Sequence, residues 1–259
     1  MMGRIFRQAF LSYKAMYSYV NPTVFFLMMI LNPTLQLAFF AFMVKFAYGS
    51  KDISPWIIGN AFLLASSNAI FIIGTLAVDE RRAGTLMVVM GSPVNKFRLF
   101  ISRSMFHIID IGIRVVIGFV IGTLFFDFPI SEISIFKLFL SIGSGMLSGL
   151  GFGLLIGSFA LIITDMNMFL NTMEQVLILF TGAVFSVSKL PTELRWISEI
   201  VPLRRSIEAS RLLLGIDQSN FYHLIGDEIL ISMIMMILGY IAFEICSYLA
   251  RKNASIDLY

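Results

Sequence analysis

Charge is what this sequence has least of. Asp, Glu, Lys and Arg make up 14% of its 259 residues, where soluble domains carry about 25%. Too few charges remain to clothe a soluble globule of this size. Hydrophobic residues reach 58%, which excludes intrinsic disorder as well. One cysteine, Cys246, rules out an intrachain disulfide. Two distant histidines, His107 and His223, leave no material for a zinc cluster. None of the 19 glycines is followed by lysine, so the G-x-x-x-x-G-K-[ST] phosphate loop is missing. G-x-S-x-G and H-E-x-x-H are missing too, which leaves an integral-membrane enzyme without support. The net charge of +3 is too small to argue for nucleic acid.

What the chain has in place of charge is long apolar runs. A helix needs about 20 apolar residues to cross a bilayer. Thr23–Val44, Ile53–Val78 and Leu138–Thr164 carry no charge and meet that length. Ser104–Phe126, Met166–Val187 and Ile229–Ala250 are further spans that include ionisable groups. The alternating ten-residue segments of a barrel are missing. The fold class expected is therefore an all-α membrane protein of six transmembrane helices in one domain, residues 1–259.

Basic residues orient it. Arg4, Arg7 and Lys14, then Arg81, Arg82, Lys96, Arg98 and Arg103, then Arg251 and Lys252 all fall on one side if both termini are cytoplasmic. Five basic residues from Lys189 to Arg211 oppose this, in a segment that also holds Glu193, Glu199 and Glu208. The first twenty residues lack the apolar core of a signal peptide. Ile5, Phe6, Ala9, Phe10, Tyr13, Met16 and Tyr17 recur there at helical spacing, as in an interfacial amphipathic helix. Pro191–Ile200 and Leu203–Leu214 read as two short helices broken at Pro202, a re-entrant hairpin within 188–222 on the outer side.

Three sets of residues stand out. Gly145, Gly149, Gly153 and Gly157 repeat at intervals of four and offer a bare helix face, for packing within the chain or against another subunit. Asp110 and Arg114 lie at i and i+4 in the third span and can pair along one face. His107 sits one turn earlier and extends that network, while Glu174 has no evident local partner. The loop over 80–100 holds a charged membrane exit and then an apolar helix, Thr85–Met90, that needs a partner surface or the lipid interface.

That loop resembles the first cytoplasmic loop of the type-2 ABC exporter permeases. Its acidic-basic exit is Glu80-Arg81, its Gly-Thr is Gly84-Thr85, and its Ser-Pro is Ser92-Pro93. Pro202-Leu203 and Glu208 to Gly215 resemble the family's segment before the last helix. The resemblance implies a dimerising permease bound to two ABC ATPase subunits, with ATP and magnesium on those partners and no cofactor on this chain. It makes the loop helix the coupling helix, with Leu86, Val89 and Met90 packed in a cleft of the ATPase and Glu80 and Arg81 at the rim. A bacterial inner membrane is the implied location. Cargo is left open among drugs, peptides, lipids and lipid-linked glycans. With 26 Phe and 16 Met against 8 Tyr and 2 Trp, composition leans toward apolar or amphipathic cargo over polysaccharide. The other class of function is an ATPase-independent transporter or channel, with Asp110, Arg114 and Glu174 as its ion path.

Overall fold

A computed structural model describes residues 21–49, 53–91, 95–105, 107–163, 165–215 and 218–252. The expected interfacial helix over residues 1–20 lies outside the described residues, and so do Ser92 and Pro93.

The described chain is helical throughout, with no strand. α1 (Pro22–Phe26) passes through a π turn, Leu27–Leu31, into α2 (Asn32–Tyr48). Pro33, which has no N–H to donate, lies two residues beyond that turn, where the regular ladder would be interrupted. Then come α3 (Ser54–Arg82), the loop helices α4 (Leu86–Gly91) and α5 (Lys96–Ser104), and α6 (His107–Phe126). α7 (Ile135–Ser158) continues through a 3-10 turn to Leu161 and precedes α8 (Met166–Phe180). The hairpin is α9 (Arg195–Ile200) and α10 (Arg204–Leu212), and α11 (Phe221–Lys252) closes the order.

Among the described residues three helices are long and apolar enough to cross a membrane: Ser54–Arg82, Ile135–Leu161 and Phe221–Lys252. Within the expected fifth span, Met166–Val187, the helix is shorter than the apolar run. It stops at Phe180, giving about 22 Å against a core of about 30 Å. Gly182, at φ +76°, turns the chain where the apolar run would have continued.

α3 is the buried centre. Seventeen of its residues are buried, from Ser54 to Ala77. Glycines on its neighbours let their backbones close on it. A Cβ at Gly118 or Gly122 of α6 would lie 2.6 Å from Ala61 or Ile57. On α7, a Cβ at Gly145 would lie 2.8 Å from the Phe62 ring, and one at Gly157 would lie 2.9 Å from the Ile73 carbonyl oxygen. The glycine stripe therefore packs within the chain, with Gly153 against Ile73 and Gly149 facing Ala69 and Ile111. α7 meets α11 as closely, since a Cβ at Gly151 would lie 2.8 Å from the Ser232 carbonyl oxygen.

These spacings separate two alanine substitutions. At Gly149 a Cβ finds ordinary contacts of 3.7 Å, so Gly149→Ala should leave thermal stability in detergent unchanged. Gly151→Ala drives a methyl into backbone and should cost about 1–3 kcal/mol, the usual range for overpacking. Equal melting temperatures for the two variants would contradict this packing.

Candidate functional site

The C-terminal end of α3 carries a built platform for α4. α3 ends at Arg82, and Gly84, at φ +68°, reverses the chain into α4 without the penalty a Cβ would bring. Glu80 anchors the start of α4. One carboxylate oxygen accepts from the Thr85 hydroxyl and the other from the Arg103 guanidinium on α5. The Glu80 carbonyl accepts the Thr85 N–H at 3.0 Å. The Glu80 and Arg103 side chains are each 22% exposed, so this pair is partly shielded from the water that weakens surface ion pairs. Burial also pulls the Arg103 guanidinium below its ordinary pKa.

Arg81 reaches the opposite way. Its guanidinium donates to the Ala160 and Leu161 carbonyls, both at 3.0 Å. Those oxygens end the α7 rod, and a cation suits a helix C-terminus. Glu80 and Arg81, expected at the rim of a partner's cleft, thus fasten the platform within the chain, while Gly84 and Thr85 lie exposed at the turn into α4.

Leu86 also departs from expectation. It is 4% exposed and packs into the chain's own core, beside a gap of 30 Å³ lined by Leu76, Ala77, Phe100 and Phe243. Val88 is 73% exposed and faces out, and Val89 is half-buried against the same gap. The side chain of Met90 lies outside the described residues. α5 secures the platform on its other flank. Asn95 caps it by accepting the Arg98 N–H at 2.9 Å. Phe97 and Phe100 then stack on Phe243 of α11, with ring centroids 5.6 and 5.5 Å apart.

At the opposite end, α10 is pinned at both its termini. Arg211 donates to the Pro55, Gly182 and Ala183 carbonyls at 2.8, 2.8 and 2.9 Å. It thereby ties the start of α3 to the chain leaving α8. Burial lowers its pKa to about 10, so it stays charged at neutral pH. The N-terminus of α10 is met by Glu228 of α11. This carboxylate is fully buried and accepts the Leu203 N–H at 2.6 Å, the Arg205 N–H at 3.1 Å and the Ser148 hydroxyl of α7.

These contacts explain the basic residues that oppose the orientation. Arg195 donates to the Ser188 and Leu190 carbonyls. Arg204 and Arg205 pair with Glu199. Arg195, Arg204, Arg205 and Arg211 are thus bound within or under the hairpin. A cavity of 460 Å³ opens there between Ser186, Val187, Arg195, Glu199 and Glu208.

The intramembrane set is divided. His107 and Arg114 are 3% and 5% exposed on α6, and both have partners. Glu174 is half-buried on α8, a separate helix. The Asp110 side chain lies outside the described residues.

The family model described as ABC-2 type transporter matches residues 8–214. None of the curated proteins compared matches the chain.

Two substitutions test the platform. Leu86→Ala empties a core position and should lower stability by about 2–5 kcal/mol, whereas Val88→Ala at the exposed position should leave the melting temperature in place. A larger loss at Val88 would reverse the assigned faces.

Proposed function

We propose that this chain, which belongs to the ABC-2 type transporter family, is the permease of an ATP-driven exporter, with the outward face of α4 as its docking surface for a separate ABC ATPase. The observation that carries this is Val88. A valine exposed on a short, rigidly fastened helix among basic residues is surface that a partner would cover. Fastening through Glu80, Arg81 and Arg103 suits force transmission, because a push on α4 reaches α3, α5 and α7 without loss in a loose loop. ATP and magnesium belong to the ATPase, since this sequence holds no phosphate loop.

A second permease, identical or not, completes the unit. The support is α8. Asn167, Asn171, Thr172 and Gln175 are exposed along one face of a helix in an apolar chain. Amide and hydroxyl groups are poorly matched to lipid, so this face suits a partner helix or an aqueous path. The same polar face, next to abundant Phe and Met, supports an amphipathic cargo such as a drug, lipid or peptide over a polysaccharide. The six-helix arrangement has both termini in the cytoplasm of a bacterial cell, in its inner membrane. Supporting it, Arg81, Arg82, Lys96, Arg98 and Arg103 gather at the pole where α11 ends in Arg251 and Lys252.

Two experiments test this. Val88→Asp should keep expression and melting temperature yet abolish co-purification of the ATPase, because a carboxylate would be desolvated against the partner. Full ATPase binding by that variant would remove the docking assignment. In a Cys246→Ala background, an impermeant thiol reagent applied to intact cells should label cysteines placed at Ser131 and Ser219 and spare one at Ser92. Labelling at Ser92 would invert the topology.

A further inference from the structure

α11, like α3 and α7, reaches from the platform to the hairpin. It runs from Phe221 to Lys252, about 48 Å at 1.5 Å per residue. At the inner pole Phe243 and Tyr240 hold α5, with the Tyr240 ring 5.1 Å from Phe97. At the outer pole Glu228 holds α10.

The second attachment is more than a helix needs. The bare N–H groups that open α10 could be satisfied locally by a Ser or Asp at the capping position. The chain instead places Leu203 there, at φ +74°, a conformation that disfavours a branched side chain. The acceptor comes from another helix, as a carboxylate with no exposure at all. Burying a carboxylate costs free energy that hydrogen bonds must offset. Both of its oxygens are engaged, and Ser148 also takes up the Leu203 N–H at 3.2 Å. Ser144 of α7 adds a bond of 2.8 Å to Ser206 of α10. Asp227, the neighbouring residue on α11, lies 3.9 Å from Arg205. Every polar contact described at this end of the hairpin thus leads to α11 or α7 or stays within the hairpin through Glu199.

We propose that Glu228 is a positioning residue that makes α11 and the outer hairpin one moving body, so that displacement of the docking segment at the inner pole is delivered to the hairpin. This rests on the docking reading above. α11 is gripped at one end by α5, which Arg103 ties through Glu80 to α4, and at the other by the Glu228 bonds to α10. A merely stabilising role would need no such connection between the poles.

The test uses the full chain with its ATPase in liposomes, in a Cys246→Ala background. Spin labels at Trp196 on the hairpin and Phe46 at the outer end of α2, 62% and 94% exposed, report the hairpin distance with and without ATP and magnesium. The parent protein should show a nucleotide-driven shift. Glu228→Gln turns an acceptor into an amide that cannot accept both N–H groups through both of its atoms. It should keep ATP hydrolysis within about twofold while losing the hairpin shift and about tenfold in transport, the loss expected for one charge-assisted hydrogen bond. Glu228→Asp should recover part of both. A shift of parent size in Glu228→Gln would overturn the proposal. If Glu228→Gln does not fold, Ser148→Ala, which removes one donor from the same oxygen, takes its place with the same two outcomes. If the parent engages no ATPase, the proposed function fails first. Labels at Trp196 and Ile245 in the permease alone then decide the attachment: a broadened distance distribution in Glu228→Gln supports it, and an unchanged one overturns it.

Discussion

A chain this apolar cannot leave backbone polar groups bare, and its structure depends on how it meets that constraint. Within a helix the groups satisfy one another, but each helix end exposes several that do not. Three such ends inside the protein receive a charged side chain from elsewhere. Arg81 covers the carbonyls that finish the α7 rod. Arg211 covers those just beyond α8 and one at the start of α3. Glu228 covers the N–H groups that begin α10. Arg81 at a carboxyl end and Glu228 at an amino end have the sign the helix dipole favours, while Arg211 bridges the chain leaving α8 to the amino end of α3. Each side chain comes from a different helix, so satisfying the backbone also stitches the bundle together.

The platform for α4 arises from the same economy of charge. Glu80 and Arg81 are adjacent but point to different duties, one holding Thr85 and Arg103, the other ending α7. α3 therefore cannot shift at its inner end without moving α4, α5 and α7 together. Glycine contacts extend that rigidity along its length, because backbones in direct contact have no side chains to yield between them. On the proposed docking role, a helix set on such a base is suited to carrying a push from a partner into the spans.

Much of this was legible in the sequence, and the exceptions have physical reasons. Uncharged runs located α3 and α7, and an apolar run interrupted only by Glu244 located α11, since only a helix satisfies so long an apolar segment. Glycines four apart located the face of α7 that meets α3. The order Glu80-Arg81, Gly84-Thr85 located the platform. The outward face of α4 was hidden because Leu86, Met87, Val88, Val89 and Met90 are all apolar, so no polar residue marked the exposed side. The end of α8 was hidden because the apolar run continues past Phe180 to Phe185. Glu228 was hidden because its partners are backbone N–H groups about two dozen residues away, which side-chain patterns cannot display. Its place just ahead of an apolar run reads as a boundary marker. α5 reads as a basic stretch, although Phe97, Phe100 and Ser104 occupy one helical face.

Photocrosslinking from α4 tests the account most directly. A photoreactive residue at position 88, in the permease isolated with its ATPase, should crosslink to the ATPase subunit, and the same residue at position 86 should crosslink only within the permease. Crosslinks to lipid alone from position 88, with the ATPase bound elsewhere, would contradict the assignment of α4 as the docking helix.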